Sequence, residues 1–279
     1  MNPVARSMFH TLPLRTIYTT NRVISGSKLT ESMLSDVIKG QALACHVEDF
    51  IPKDECRLLT SRLIRKLPYE YYEYAEGSVG RIGFSFSEAG TPETRKRYYE
   101  EALPSIEAIR KACGDLGSPI DKFRLTLQDV WSYGANLEML DEGKKMFVGL
   151  CRMIEADKNI LPHQDMIRWY DKASPRSQEI ISQLTMNIYL QIPKMGGELE
   201  LWDWGFRDKE EYEKHAEGSY GIDKAKLDPP ALIIQPKIGD LVLFNPEKLH
   251  CITTGSGQRF SVSCFIGYRG DKKPLTYWS

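Results

Sequence analysis

Apolar residues follow two different periods along the chain. Up to about residue 140 they recur at helical spacing, whereas beyond it short apolar runs alternate with turn signals. The first part predicts three helices, over residues 53–67, 91–113 and 120–133. Pro52 and Pro92 precede or open two of them, with Thr91 as an N-cap. In the first helix we expect one buried face, formed by Leu58, Leu59, Leu63 and Ile64.

The second part of the chain has the pattern of an all-β core. Glycine-rich turns such as residues 194–197 and 255–257 separate eight predicted strands, over residues 146–154, 160–165, 184–192, 198–204, 231–235, 240–244, 250–253 and 259–268. An earlier strand is predicted over residues 42–50. This order of elements predicts a mainly β fold with supporting helices and a double-stranded β-helix (jelly-roll, cupin-like) core.

The same pattern predicts one domain over residues 1–279. Residues 1–140 would supply mostly helical support and pocket-lining segments, and residues 141–279 the jelly-roll core. Residues 1–40 are weakly patterned and are expected to wrap the outside. A charged insert over residues 207–226 is expected to form a helix and loop at the pocket mouth.

Composition limits the partners. The 37 basic and 38 acidic residues leave a net charge of −1, which gives no field to attract nucleic acid or an anionic membrane. Six cysteines without a Cys-x-x-Cys pair indicate reduced thiols, and no secretory signal or membrane span is evident. We therefore expect a cytoplasmic monomer or homodimer that acts on a small molecule.

Candidate chemistry centres on the segment His163-Gln164-Asp165 and on His250. In a strand, residues i and i+2 leave on the same face, so His163 and Asp165 can address one centre. Two imidazoles and one carboxylate form the facial triad of non-haem Fe(II) oxygenases. A single histidine is more often an ordinary polar residue. However, the chain has only five histidines, and these two are 87 positions apart, which leaves room for strands that bring them together.

A second candidate lies nine residues beyond His250. Arg259 and Ser261 share one face of a predicted strand, so that a guanidinium and a hydroxyl can bind one anion together. The residues that follow are largely apolar, which indicates a buried strand. A buried arginine requires an anionic partner, because an unpaired buried charge is costly.

Taken together, these motifs resemble the Fe(II)/2-oxoglutarate-dependent dioxygenase superfamily. The series is His163-x-Asp165, Gly196-Gly197-Glu198-Leu199, Gly239-Asp240-Leu241, His250 and Arg259-x-Ser261. Within the superfamily, the chain is similar to the branch of freestanding hapalindole/welwitindolinone-type halogenases and N-substituted amino-acid hydroxylases. The shared features are Gly80-Arg81-Ile82-Gly83, Arg152 and Tyr277-Trp278-Ser279.

The resemblance implies specific roles. His163, Asp165 and His250 would bind Fe(II), while Arg259 and Ser261 would hold the distal carboxylate of 2-oxoglutarate. Arg152 is a candidate second anion contact, with a plain salt bridge as the alternative. O2 would take the remaining position, and an unactivated C–H bond would be oxidised.

Residue 165 bears on the outcome of the reaction. The resemblance implies that halogenating relatives have glycine there, which opens a site for chloride, whereas this chain has an aspartate. Hydroxylation is therefore expected. Desaturation, cyclisation and a halogenase-related reaction on the same scaffold remain alternatives.

The expected substrate is an amino acid, an amino-acid derivative or a natural-product intermediate. Candidate substrate-binding residues are Arg81, Gly83, Phe84, Arg168 and Trp169. The arginines suit an acidic group, so an amino acid or its N-acyl derivative is favoured. A phenylalanine such as Phe84 is more often a core residue, and an arginine such as Arg168 is more often a solvated charge.

Two other functions fit the same three ligands. A zinc hydrolase would use two histidines and a carboxylate around a metal-bound water, but it has no need for Arg259 and Ser261. A non-catalytic cupin-like binding module is the third hypothesis. O2 uptake that depends on the keto acid would separate the first hypothesis from both.

Overall fold

The computed structural model of the protein describes residues 22–72 and 78–279. The part of the 1–40 prediction that concerns residues 1–21 lies outside the described residues. For the remainder the prediction was incomplete, because this segment forms strand β1 (Val23–Gly26) and helix α1 (Glu31–Ile38). Helix α1 buries three apolar side chains, Met33, Leu34 and Val37. The segment therefore contributes to the core.

Two β-sheets form the centre of the molecule. The strands after β1 are β2 (Ala44–Val47), β3 (Glu70–Tyr71), β4 (Val79–Ile82), β5 (Ala135–Leu137), β6 (Leu150–Ile154), β7 (Ile160–His163), β8 (Ser182–Gln191), β9 (Leu199–Leu201), β10 (Leu232–Ile234), β11 (Leu241–Phe244), β12 (His250–Ile252), β13 (Arg259–Tyr268) and β14 (Leu275–Trp278). The larger sheet has the order β1-β2-β11-β8-β13-β6-β4-β3, and β14 joins β13 to β5. The smaller sheet has the order β10-β9-β12-β7. The predicted jelly-roll fold class is thereby confirmed.

Helices of the first half of the chain cover one face of the larger sheet. After α1 the described helices are α2 (Lys53–Lys66), α3 (Pro92–Cys113), α4 (Pro119–Val130), α5 (Ile167–Tyr170), α6 (Pro175–Gln178) and α7 (Lys209–Ala216). Helices α1 and α2 contact β8, and α4 contacts β13. None of the described helices is long and apolar enough to cross a membrane.

Local sequence explains where the long helices begin. Thr91 caps α3 through a capping box with Thr94, and Pro92 occupies the first turn, as predicted. In α2 the buried face includes Leu59 and Leu63, but Leu58 is 47% exposed. The prediction that Leu58 shares the buried face was therefore wrong.

The two longest strands are buried on both faces, yet their side chains alternate in character. In β8, Leu184, Met186, Ile188 and Leu190 join the core beneath the helices. The alternate positions of β8, which face the other way, are Gln183, Thr185, Asn187 and Tyr189. Strand β13 repeats this arrangement, with Phe260 and Val262 in the same core and Arg259 and Ser261 on the opposite face. A buried polar face of this kind marks the space between the sheets as a candidate site.

A smaller apolar cluster closes one end of that space. It joins side chains from both sheets, including Val242 and Phe244 of β11 and Leu199 and Leu201 of β9. These contacts hold the sheets together on one side. The other side, where β7 and β12 pair, carries the two histidines of the predicted triad.

The turn before β11 is fixed by Asp240, which is fully buried. Its carboxylate lies 2.6 Å from His46 Nε2 on β2 and accepts hydrogen bonds from the backbone N–H groups of Asp49 and Lys237. Burial alone raises the pKa of this carboxyl, but His46 and the backbone donors outweigh burial and lower it. Gly239 precedes it at φ +93°, where a Cβ would lie 2.2 Å from the Ile51 carbonyl oxygen.

We expect Asp240→Asn to lower the free energy of unfolding by about 2 kcal/mol at pH 7, because an amide cannot satisfy all three donors. A depressed native pKa stabilises the fold above the unfolded-state pKa, near 4, and this contribution is lost as the pH falls. The variant should therefore lose less stability than the wild type between pH 7 and pH 3.5. Urea denaturation at both pH values measures this.

Asp129→Asn is the matched control, because Asp129 lies exposed on α4. It should leave the unfolding free energy and its pH dependence unchanged. Equal stability of Asp240→Asn and the wild type at pH 7 would contradict the role given to Asp240.

Candidate active site

The side chains of His163, Asp165 and His250 converge at one point. A potential ligand atom from each lies within 4.8 Å of the other two. The Asp165 Oδ2 atom is 3.7 Å from His163 Nε2 and 3.9 Å from His250 Nε2, and the imidazole centroids are 4.2 Å apart. These separations are too long for hydrogen bonds, so the three groups face a shared centre.

Strand pairing brings the two histidines together. His163 ends β7 and His250 begins β12, and they are direct partners in the antiparallel register. Asp165 lies two residues beyond the end of β7, so the reason predicted for its position, a shared strand face, was wrong. The backbone N–H of Asp165 donates to the Pro246 carbonyl at 2.9 Å, and its own carbonyl accepts from Gln183 at 3.1 Å. The loop is thus held from two sides.

The second ring nitrogen of each histidine fixes its tautomer. Nδ1 of His163 lies 2.8 Å from the Leu161 carbonyl oxygen, and Nδ1 of His250 lies 3.0 Å from that of Lys248. Since a carbonyl only accepts, each Nδ1 must carry the proton, which leaves a lone pair on each Nε2. Backbone support of this kind is typical of histidines that bind a metal.

The protonation states also suit a cation. Burial, together with the neighbouring His163, lowers the pKa of His250 to about 3, so its imidazole is neutral at physiological pH. Burial would raise the pKa of Asp165, but the two imidazoles outweigh burial and hold it well below its usual range. The neutral imidazole of His250 and the Asp165 carboxylate form, together with the imidazole of His163, a donor set that fits Fe(II) or Zn²⁺.

A second polar surface, formed around Arg259, lies on the face of the larger sheet that is turned away from the core beneath the helices. Arg259 of β13 is 3% exposed, and its guanidinium stacks 4.8 Å from the ring centroid of Tyr189 on β8. Its Nη1 donates to the Gly197 carbonyl at 3.2 Å, while its Nε has no hydrogen-bond partner among the described residues. Burial lowers the pKa of Arg259. A buried guanidinium with an unused donor is suited to an anionic ligand.

Register places two further groups on this surface. Ser261 of β13 pairs with Arg152 on β6 and with Tyr189 on β8, so all three share a face with Arg259. Sequence reasoning missed Tyr189, whose buried hydroxyl has no described hydrogen-bond partner. The alternation of side chains along β8 could have identified it, because Tyr189 lies on the same face of the strand as Gln183, Thr185 and Asn187.

A cavity of about 340 Å³ opens beside the convergent side chains. Arg152, His163, Asp165 and Trp169 line it, as expected from the sequence. Seven of the other sixteen lining residues are aromatic, among them Tyr170, Tyr212, Tyr220, Phe265 and Trp278. Of these, Tyr170 lies beside Asp165, and burial and that negative charge both raise the pKa of its phenol, which stays neutral.

The other predicted substrate residues lie outside the described cavity wall. The Arg81 guanidinium forms ion pairs with Glu70 and Glu88 and is therefore already neutralised. Gly83 has φ +96° and packs where a Cβ would lie 2.4 Å from the Phe147 ring. Phe84 belongs to the core beneath the helices.

Arg168 is likewise engaged within the fold. It pairs with Glu247 at 2.8 Å and donates to the Ile180 carbonyl at 3.2 Å. Glu247 lies 79 residues from Arg168 along the chain, so local pattern could not predict this partner.

Comparison with known proteins agrees with this geometry. The model of the family described as "Carrier-protein-independent halogenase WelO5" matches residues 23–279. The L-gamma-glutamyl-L-propargylglycine hydroxylase of Streptantibioticus cattleyicolor is 25% identical over 274 residues, which cover 94% of this chain and 97% of that protein.

Solved structures share the fold at low identity. The N-substituted L-amino acid dioxygenase of Burkholderia ambifaria AMMD superposes with a TM-score of 0.59 at 15% identity, covering 90% of this chain and 92% of that one. Its complex with alpha-KG gives a TM-score of 0.60 over 89% and 90% of the two chains, also at 15% identity.

The predicted resemblance to the Fe(II)/2-oxoglutarate-dependent superfamily, and to the branch that holds these halogenases and hydroxylases, is confirmed. The match extends over both sheets and the supporting helices. The chain belongs to the family of the carrier-protein-independent halogenase WelO5, within the Fe(II)/2-oxoglutarate-dependent dioxygenases.

Proposed function

We propose that the protein is an Fe(II)/2-oxoglutarate-dependent oxygenase that hydroxylates an unactivated C–H bond of an amino acid or amino-acid derivative. One observation carries the proposal. The side chains of His163, Asp165 and His250 converge, with Asp165 Oδ2 3.7–3.9 Å from the two Nε2 atoms, and the larger sheet buries Arg259, whose Nε has no hydrogen-bond partner among the described residues. A metal site alone would not require that arginine.

The donor set suits a ferrous ion held by His163, Asp165 and His250. Iron bound there with the keto acid and O2 supplies the oxidation of a C–H bond, with release of succinate and CO2. The chain's own groups hold the ligands in place, through Leu161 and Lys248 behind the imidazoles.

The surface of the larger sheet suits the cosubstrate 2-oxoglutarate. We assign its distal carboxylate to Arg259 and Ser261, with the Tyr189 hydroxyl as a third donor. Arg152 lines the cavity on the same face and is a second anion contact in this proposal. Burial strengthens these contacts because little water competes for the donors.

Residue 165 favours hydroxylation over halogenation. The family takes its description from a halogenase, but this chain has a carboxylate at the position where the halogenating relatives are expected to have glycine. Asp165 therefore occupies the place that chloride would need. Desaturation and cyclisation would use the same ligands and remain the alternative outcomes.

An amino-acid substrate is supported by the relatives. One is a hydroxylase named for a γ-glutamyl amino acid, and a protein of the same fold is named for N-substituted L-amino acids. Trp169 is the predicted substrate residue that lines the cavity, and we retain it as a substrate contact.

The cellular setting is proposed on similar grounds. All six cysteines are free and buried, which suits the reducing cytoplasm. We propose a single domain over residues 1–279, supported by one core cluster that runs from α1 to β14. A monomer or homodimer that binds neither nucleic acid nor membranes is proposed from the balanced charge.

Anaerobic addition of Fe(II) should produce a weak visible charge-transfer band only when 2-oxoglutarate is also present. Chelation of the metal by the keto acid is the physical cause. Absorption spectroscopy with 2-oxoglutarate, and with succinate as the control, measures it. No band under any condition would contradict the proposal and favour a zinc hydrolase or a non-catalytic binding module.

Replacement of Asp165 by glycine should abolish hydroxylation, because it removes the anionic ligand and opens its position. Product analysis by mass spectrometry, with and without chloride, measures both the loss and any halogenated product. The natural substrate or the best metabolite from a succinate-release panel serves as the reactant.

Asp157→Gly is the matched control, since Asp157 is exposed and already has φ +60°, which glycine tolerates. It should retain full activity. Full hydroxylase activity in Asp165→Gly would remove Asp165 from the metal site.

Replacement of Arg259 by methionine should raise the KM for 2-oxoglutarate by at least about thirty-fold, because a buried charged contact contributes about 2–5 kcal/mol. Steady-state succinate release measures it. Arg97→Met, at a side chain that is 51% exposed, is the control and should leave the KM unchanged. An unaltered KM in Arg259→Met would overturn its assignment.

A further inference from the structure

The insert over residues 207–226 forms part of the cavity wall rather than a separate surface feature. Its helix α7 and the following loop line the cavity through Lys209, Tyr212, Glu213, Ser219 and Tyr220. The same cavity reaches His163 and Asp165. Side chains of the insert therefore border the space in which a substrate must lie.

Hydrogen bonds fix the insert on both sides of His163. At its start, the side chain of Gln164 accepts from the Phe206 N–H at 2.7 Å and donates to the Phe206 and Glu247 carbonyls. At its end, the Ile222 N–H donates to the Pro162 carbonyl at 2.8 Å. Gln164 is 2% exposed, so these bonds are shielded from water.

Packing strengthens the second anchor. The Tyr220 hydroxyl accepts from the Leu161 N–H at 3.0 Å, and its ring lies 6.3 Å from the His163 ring. At Gly221 a Cβ would lie 2.7 Å from Leu161 Cβ, so the backbones approach closely. The insert thus has a set position relative to the proposed metal ligands, and so do the charges that it carries.

Those charges form one opposite pair at the cavity wall. Lys209 and Glu213 are one helical turn apart on α7, with Nζ and Oε1 separated by 3.4 Å. The Lys209 side chain is 35% exposed and that of Glu213 is 58% exposed. An exposed ion pair of this kind contributes little free energy. Lys209 and Glu213 can therefore separate and bind the charged groups of a ligand instead.

Among the described residues, no other pair of opposite charges lines the cavity outside the proposed metal and cosubstrate sites. Of the acidic and basic side chains that line the cavity besides the histidine ligand, Asp165 belongs to the proposed metal site and Arg152 to the proposed cosubstrate surface. Lys209 and Glu213 are the other two. Aromatic side chains, including Trp169, Tyr170 and Tyr212, line the same cavity.

We propose that Lys209 and Glu213 recognise a zwitterionic head group, in which Lys209 binds a free carboxylate and Glu213 a free ammonium, while an apolar side chain extends along the aromatic wall toward the metal ligands. This inference rests on the proposed oxygenase function. It narrows the substrate class to molecules that keep both a free carboxylate and a free ammonium on one carbon.

Four compounds with one common side chain test the charges separately. They are L-norleucine, its methyl ester, N-acetyl-L-norleucine and N-acetyl-L-norleucine methyl ester. Each is titrated anaerobically into the Fe(II)–2-oxoglutarate enzyme, and the shift of the visible band gives its Kd. The wild type should bind L-norleucine at least tenfold more tightly than the other three.

Single substitutions assign each charge. Lys209→Met should raise the Kd for L-norleucine about tenfold. It should leave the Kd for the methyl ester unchanged, because the ester has no carboxylate for Lys209 to bind. Glu213→Gln should raise the Kd for L-norleucine about tenfold and leave the Kd for N-acetyl-L-norleucine unchanged. Lys214→Met, at an exposed position on the same helix, is the control and should change none of the affinities.

Each contrary result overturns the inference. One such result is equal affinity for the four compounds, and another is binding of none of them. The third is an unaltered affinity for L-norleucine in both variants, which would indicate that Arg152 binds the carboxylate instead. Failure of the proposed function is a different observation, namely that the visible band does not form before any compound is added. A normal band with any of the contrary results would reject only the zwitterion assignment.

Discussion

The pairing of β7 with β12 is the constraint on which the site depends. It sets His163 opposite His250 in an antiparallel register, and the imidazole centroids then lie 4.2 Å apart. Backbone carbonyls behind each ring orient the Nε2 lone pairs toward the shared centre. A register shift of one residue would turn one imidazole to the opposite face, so the smaller sheet must pair in this register for the site to exist.

The larger sheet supplies the opposite wall through a division of its two faces. In β8 and β13 one face packs under the helices with apolar side chains, and the other presents Tyr189, Arg259 and Ser261. Burying polar groups is costly unless they have partners. Neither the Tyr189 hydroxyl nor the Arg259 Nε has a hydrogen-bond partner among the described residues, so both remain available to the ligand proposed above.

Chemistry and specificity occupy different parts of the same cavity. At the proposed metal site, this chain has Asp165 where the halogenating relatives are expected to have glycine. The insert over residues 207–226 lines the part of the cavity proposed for the substrate. Gln164, between two proposed ligands, connects these parts through its hydrogen bonds to Phe206 and Glu247. The position of the substrate wall and that of the carboxylate ligand are consequently linked by one buried side chain.

The sequence by itself determined the helices over residues 53–66 and 92–113, most strands of the two sheets and the identity of the convergent side chains, since periodicity, caps and motif spacing are local properties. Only the tertiary structure decided which charges were already satisfied. Arg168 resembles a ligand contact in the sequence, but Glu247, 79 residues away along the chain, neutralises it in the fold. The tertiary structure also placed Asp165 in a loop rather than on β7, and it revealed Tyr189 beneath Arg259. The physical reason is that a side chain's partner depends on which distant segments meet, and local pattern does not encode that meeting.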